Sequence, residues 1–436
     1  MNKPEIVVKP LQIADLNQDL NRDRRSLYRY FNQIEKEVRE IIEKVEQEGD
    51  RALLFYAQEF DGCKLPSLRV EEKELETSWN QVEDKFKETV TLVSQSIRDF
   101  HQNQKTSSWW NNQSGSLWGE KVQPLNSVAC YVPGGRFSYP SSLLMTAIPA
   151  QIAGVARIVV LTPPGETGVP AREILATAHF LGLKEVYLAG GAQAVAACTF
   201  GTESIPRVNK IVGPGNIYLT TAKKLLYGLI GIDSLAGPSE VAIVASECPE
   251  PRWLALDLLA QAEHDPLSLS ILISPQEKIL LEVKKYLERE WQNHPLPFSK
   301  SVPFYFYQVE NLNQAAEAVN SLAPEHLELW VPNPLSFLRK IKNAGAVFLG
   351  PLSPVALGDY GYGPNHVLPT LGSATFASSL SVRDFNKTIP FLSPTAEGLS
   401  SKYEFLAYLA SKEGLFFHQK SILARKQTGL ASFFID

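Results

Sequence analysis

Two textures divide the chain. Over roughly the first 120 residues, apolar positions recur at helical spacing: Ile34, Val38, Ile41, Ile42 and Val45 form one stripe, and Trp79, Val82, Phe86, Val90, Val93 and Ile97 another. Gly62 and Leu65-Pro66-Ser67 punctuate this helical region. From about residue 121, short apolar runs alternate with Ala-rich helical stretches. Runs at 127–132, 157–162, 185–189 and 210–212 predict buried strands, each followed closely by Gly or Pro, with helices at 144–155 and 193–198 between them. The rhythm resumes after Gly237, with strands expected at 240–246, 268–274, 326–331 and 344–349 and a helix at 253–263. This βαβ alternation is that of parallel sheets covered on both faces. The last 50 or so residues lose the strand rhythm and predict short helices at 403–412 and 420–425 around Gly414.

Composition narrows the class. At 436 residues the chain should form two domains or more. Its 44% hydrophobic and 20% charged content is that of a soluble globular protein. A net charge of −5 argues against partners that require phosphate neutralisation or a polybasic membrane anchor. Trp109, Trp110 and Trp118 lie in a polar stretch without basic interleaving, so core or interface packing is expected of them rather than base stacking. The start lacks a secretory pattern and no apolar run is long enough to span a membrane, so a cytoplasmic protein without membrane or nucleic-acid partners is expected. Cys63, Cys130, Cys198 and Cys248 are scattered without a CxxC, as suits free thiols in a reducing compartment.

The candidate chemistry lies mostly in the C-terminal half. His264, His326, His366 and His418 each sit near a carboxylate. Gln261 and His264 are three apart in a helical segment, so both could face one ion; Asp359 and His418 would complete a thiolate-free set. Such a set suits zinc and leaves manganese or cobalt open. Glu325-His326, at the mouth of an apolar run, can divide proton-transfer work between a substrate and a water. Three glycine turns follow predicted strands: 131–136, 190–193 and 213–216. The last precedes a helix at 217–227 and offers backbone amides to an anion, but Tyr218 replaces the third Gly of the dinucleotide fingerprint.

Longer motifs carry a resemblance. YVPGGRFSYPSSLLMTAIPAQIAGV, GGAQAVAACTFGTESIP, KIVGPGN, AGPSEV, DLLAQAEHD, APEHLEL, GDYGYGPNHVLPT and EGLFFHQKS occur in this order from residue 131. Together they are similar to the histidinol dehydrogenase family over about residue 25 to the end. The resemblance implies an α/β fold of two Rossmann-like parallel-sheet domains, one inserted into the other, with a helical N-terminal region and a C-terminal tail that crosses to a partner. The expected organisation is an arm at 1–24, a first domain at 25–129 plus 238–381, an inserted NAD-binding domain at 130–237 and a tail at 382–436.

The resemblance also implies roles. Gln261, His264, Asp359 and His418 match the family's zinc ligands, and Glu325 and His326 its acid–base pair. Ser239, His366 and Glu413 match substrate-holding residues, and the metal ligands and His326 border the same substrate. Tyr131, Gln193 and Asn216 match positions that contact NAD. The implied reaction oxidises L-histidinol through L-histidinal to L-histidine, the last step of histidine biosynthesis, with two NAD and one zinc per subunit. His418 would then come from the other protomer of a homodimer. Alternatives are a related NAD-dependent dehydrogenase of another small alcohol, a catalytically silent binding protein, and aldehyde oxidation through a thiohemiacetal on Cys130.

Overall fold

The computed structural model describes residues 4–113, 116–134, 138–165, 168–296 and 302–427. They fall into two compact units, Met1–Gln104 with Leu125–Phe385, and Lys105–Pro124 with Asn386–Asp436. The strands among the described residues are β1 (Glu5–Pro10), β2 (Trp109–Gln113), β3 (Ser116–Pro124), β4 (Ser127–Tyr131), β5 (Arg157–Thr162), β6 (Glu185–Leu188), β7 (Lys210–Val212), β8 (Gly231–Ile232), β9 (Glu240–Ala245), β10 (Leu269–Ser274), β11 (Pro303–Gln308), β12 (His326–Trp330), β13 (Ala346–Leu349) and β14 (Asn386–Pro394).

The first unit holds two parallel sheets. One has the order β6-β5-β4-β7-β8, and the other β1-β11-β10-β9-β12-β13. Both are mixed with helices, as the alternating texture predicts. Val159, Val160 and Leu161 of β5 are fully buried, as are Ala242, Ile243 and Val244 of β9. Apolar side chains point to both faces because helices cover both, which is why these strands read as continuous apolar runs. Helices Pro140–Ala153 and Gly191–Phe200 leave no side chain exposed and so lack a polar stripe.

Several elements differ from expectation. Glu5–Pro10 is a strand paired in parallel with β11, where only an arm leading into helices is expected. The aromatic run Pro303–Gln308 is a strand, and Asn386–Pro394 is another, although the C-terminal residues lack a strand rhythm. In the second unit β14 pairs antiparallel with β3, which pairs with β2. Trp109 and Trp110, expected in core or interface packing, lie on the outer strand of that ribbon at 45% and 67% exposure and so are not core residues. Trp118 meets Trp109 edge to face at 5.7 Å. The C-terminal helices are Tyr403–Lys412 and Phe416–Leu423, the second beginning earlier than expected. No described helix is long and apolar enough to cross a membrane.

Candidate active site

The candidate acid–base pair, Glu325 and His326, is built where a helix gives way to a strand. Helix Leu312–Leu322 ends on Ala323, a non-glycine residue held at φ 48°. Pro324 follows and prevents the helix from continuing. β12 then starts at His326, with Glu325 just before it; both side chains are buried. The backbone amide of Ala346 donates to the Glu325 carbonyl at 2.9 Å, so β13 fixes the pair's main chain.

Glu240, at the start of the adjacent strand β9, organises both side chains. Its amide donates to Glu325 Oε2 at 2.8 Å, and its carbonyl lies 3.2 Å from His326 Nδ1. Its own carboxylate accepts from the Leu371 amide at 3.0 Å. Glu325 Oε2 lies 3.4 Å from His326 Nδ1, and Asp359 Oδ1 lies 4.0 Å from Nε2. With Nδ1–H donating to the Glu240 carbonyl, Nε2 presents its lone pair or its proton to a ligand.

Burial pulls the His326 pKa down, but Glu325 and then Asp359 outweigh it and push it up to about 9. His366 goes the other way. Burial lowers its pKa, although Asp359 opposes this, so its imidazole favours the neutral form. Its Nδ1 lies 3.0 Å from the Asp359 carbonyl. Asn365 anchors the loop beneath it: Nδ2 donates to the Met145 carbonyl at 2.6 Å, and Oδ1 accepts from the Val367 amide at 2.9 Å.

Three buried atoms of this region, Gln261 Oε1, His326 Nε2 and His366 Nε2, make no hydrogen bond within the protein. Buried polar atoms are normally satisfied, so these three are candidates to meet a ligand. An oxygen and imidazole nitrogens, with the Asp359 carboxylate close by, are donors that suit a borderline divalent cation. The helical reading of Gln261 and His264 is corrected, however. Helix Pro251–Ala262 stops before His264, which lies in the following turn and is exposed, whereas Gln261 is buried. The Asp265-Pro266 step explains the stop, because a residue before proline is driven out of the helical region. Among the described residues no three His, Cys, Asp or Glu side chains form a ready metal cluster.

The cofactor candidates converge elsewhere in the same unit. Tyr131 ends β4, and its hydroxyl accepts from the Gly191 amide at 3.2 Å. Gly191 opens the helix that carries the buried Gln193. Gly213 follows β7 at φ 118°, and a Cβ there would run into the Tyr131 carbonyl. Asn216 caps helix Ile217–Leu226 by accepting from the Leu219 amide at 3.1 Å. The turns thus meet around Tyr131 at the carboxyl ends of parallel strands, beside the N-terminus of helix Ile217–Leu226, the position where parallel α/β sheets form ligand crevices. Gly135 and Arg136 of the first turn lie outside the described residues. The acid–base pair, by contrast, stands at the amino ends of β9 and β12.

Beneath the third turn is a pair that sequence reading missed. Lys223 Nζ donates to the Gly213 carbonyl and to Asp233 Oδ1, both at 2.7 Å, and Asp233 Oδ2 accepts from the Gly213 amide at 2.7 Å. Both side chains are almost fully buried, at 2% and 4% exposure. Neither residue falls in a recognisable motif, and only the fold brings them together.

The remaining candidates are placed as follows. Ser239 immediately precedes β9, and its carbonyl accepts from the Leu269 amide at 2.9 Å. Glu413 and His418 belong to the second unit, where both are exposed. Cys130 is fully buried in β4, and burial pushes its thiol up to about 12, so it carries no thiolate for a thiohemiacetal.

Comparison with known proteins agrees over nearly the whole chain. The family model described as "Histidinol dehydrogenase" matches residues 25–426. A histidinol dehydrogenase of a Synechococcus strain is 45% identical over 401 residues, covering 90% of this chain and 92% of its own. That of Listeria innocua is 44% identical over 399 residues, covering 90% and 93%. The crystal structure of histidinol dehydrogenase from Elizabethkingia anophelis superposes with a TM-score of 0.88 at 31% identity, covering 98% of both chains.

Proposed function

The chain belongs to the histidinol dehydrogenase family, and from that premise we propose that it oxidises L-histidinol through L-histidinal to L-histidine, with zinc and two successive molecules of NAD. The observation that carries this reading is the buried Glu325–His326 pair, wired to one backbone residue, with His326 Nε2 left for a ligand.

NAD, when bound, accepts a hydride in each oxidation. Zinc, when bound, would supply a Lewis-acid template that orients the substrate. Gln261, His264, Asp359 and His418 would hold the metal. Tyr131, Gln193 and Asn216 would hold the cofactor within an inserted domain at 130–237. Ser239, His366 and Glu413 would hold the substrate; neutral His366 suits a hydrogen bond to a cationic amino alcohol.

In the first oxidation His326 Nε2 takes the hydroxyl proton of the alcohol. Glu325 beside Nδ1 and the Glu240 carbonyl stabilise the resulting imidazolium. The aldehyde is then hydrated, with Glu325 taking a proton from water, and His326 removes a hydroxyl proton from the hydrate as the second hydride departs. His326 must begin each step neutral, yet Glu325 and Asp359 hold it protonated up to about pH 9. A cation held by Asp359 would offset its share of this hold and leave the base available nearer neutrality.

The second unit supports a homodimer whose tail supplies His418 to its partner. Its C-terminal helices expose Phe405 and Phe417 at 77% and 80%, and Tyr408 at 63%. Large aromatic surfaces of this kind are typical of interfaces.

The test is the amount of NADH formed per L-histidinol consumed by zinc-loaded protein in excess NAD. Two supports the four-electron reaction. One reduces the protein to an alcohol dehydrogenase that releases its aldehyde. None, with zinc bound, assigns the site to a different alcohol.

A further inference from the structure

One residue behind the site links three elements of the first unit that bring candidate groups to it. Glu328 lies two positions beyond His326 on β12, on the same face of the sheet, and is fully buried. Its Oε1 accepts from the Val355 amide at 2.8 Å, the first residue of the short helix Val355–Asp359 that ends on Asp359. Its carboxyl group also faces that of Asp257 on helix Pro251–Ala262, one turn before Gln261. Thus the base, the Asp359 carboxylate and the Gln261 amide sit on three separate pieces of backbone that meet at one side chain.

Two carboxylates cannot hydrogen-bond to each other, since both only accept. Glu328 Oε2 has no donor within the protein. Both demands are met if Oε2 carries a proton and donates it to Asp257. Desolvation drives the same result: burial raises Asp257 to about 7, and burial followed by the charge of Asp257 raises Glu328 well above the usual carboxylate range. Asp257 is the titratable group facing Glu328, and the Trp330 indole and the Val355 amide are its other polar neighbours.

We propose that Glu328 is a positioning residue, a neutral carboxylic acid that donates to Asp257 and accepts from Val355, and so sets the spacing of Gln261, His326 and Asp359. The proposal deepens the functional reading above and rests on it for the meaning of the spacing. It concerns a residue that touches neither substrate nor cofactor.

Three full-length proteins test it: the parent, Glu328→Gln and Glu328→Met. Glutamine keeps one donor and one acceptor; methionine keeps the volume and neither bond. Each is measured for bound zinc after dialysis against buffered zinc, for kcat and KM with L-histidinol, and for urea stability between pH 5 and 9. The expected result is that Glu328→Gln keeps its zinc and its kcat within about threefold. Glu328→Met should bind zinc ~10–100-fold more weakly, the scale for losing support behind a metal ligand, and lose kcat in proportion.

The stability arm needs no activity, so it survives a wrong substrate and a methionine variant that does not fold. A carboxyl pKa raised by folding contributes stability that is full below the unfolded value near ~4 and is lost as pH rises through the folded value. The parent should therefore lose stability between pH 5 and 9 more steeply than Glu328→Gln, in which only the buried Asp257 still titrates there. Equal slopes would overturn the protonated state. A folded Glu328→Met with parental zinc affinity and kcat would overturn the positioning role. An inactive parent that binds zinc normally and shows the predicted slopes would instead overturn the choice of substrate.

Discussion

Replacing Asp233 with alanine should show how much the cofactor turn depends on the ion pair beneath it. The substitution removes the countercharge of Lys223, whose side chain is 2% exposed. It leaves the ammonium with the Gly213 carbonyl as its remaining acceptor at 2.7 Å. It also strips the Gly213 amide of its acceptor at 2.7 Å. Breaking a buried ion pair from one side costs about 3–5 kcal/mol, and an orphaned buried amide about 1–3 kcal/mol. These overlap, because local relaxation admits water to both groups, so the expected loss is ~4 kcal/mol. That is a large part of the ~5–15 kcal/mol by which folded proteins are stable. Urea unfolding followed by circular dichroism reads it directly, and NAD titration of the folded fraction should show ~10-fold weaker binding, since Gly213 leads the turn. The double variant Lys223→Met/Asp233→Ala should cost less than the sum of its single changes, because no uncompensated charge remains. A single-variant loss below ~1 kcal/mol, or double-variant additivity within ~0.5 kcal/mol, would refute the claim that the two charges compensate each other out of water.

The other expectations concern the reacting groups and their supports. Glu325→Ala should slow oxidation of added histidinal by ~10²-fold or more and spare the alcohol step in comparison; equal losses would contradict the division of labour. Gly213→Ala should weaken NAD binding at a strain cost of ~1–3 kcal/mol, because φ 118° and the Tyr131 carbonyl exclude a side chain; unchanged NAD affinity would show that the turn does not face the cofactor. Asn365→Ala should cost ~1–3 kcal/mol and raise KM for L-histidinol by loosening the His366 loop, and an unaltered KM would dismiss that support. Cys130→Ala should turn over near-normally, whereas a hundredfold loss would revive a covalent route.

What could be read from the sequence followed from where the energy lies. β5 and β7 begin and end where the apolar runs do, because strands buried on both faces admit little else. β1 escaped notice because Glu5, Lys9 and Pro10 dilute its short apolar run. β14 escaped because it carries two prolines and a largely exposed surface, and its pairing with β3 is visible only in three dimensions. The site shows the same division. Glu325-His326 announces itself as adjacent titratable groups, and the glycine turns as punctuation. Glu240, which orients both, reads as one more carboxylate at the start of a strand. The Asp257–Glu328 contact spans 71 positions (328 − 257) and follows no local spacing rule. His264 was misassigned to a helix because apolar periodicity persists to Ala262 while the Asp-Pro step that breaks it lies just beyond.

The pairing of β1 with β11 has a consequence for how the protein is made. Glu5 lies opposite Pro303, so β1 waits for its neighbour while the intervening residues, 298 positions (303 − 5), are synthesised. At about 5–20 residues per second that wait is roughly 15–60 s. The five-stranded sheet is assembled from one uninterrupted stretch, β4 to β8, and can close during it. Birth order therefore favours a five-stranded sheet that is complete before Glu325 and His326 exist, with an early, unpaired Glu5–Pro10 edge as the segment most in need of protection from other nascent chains.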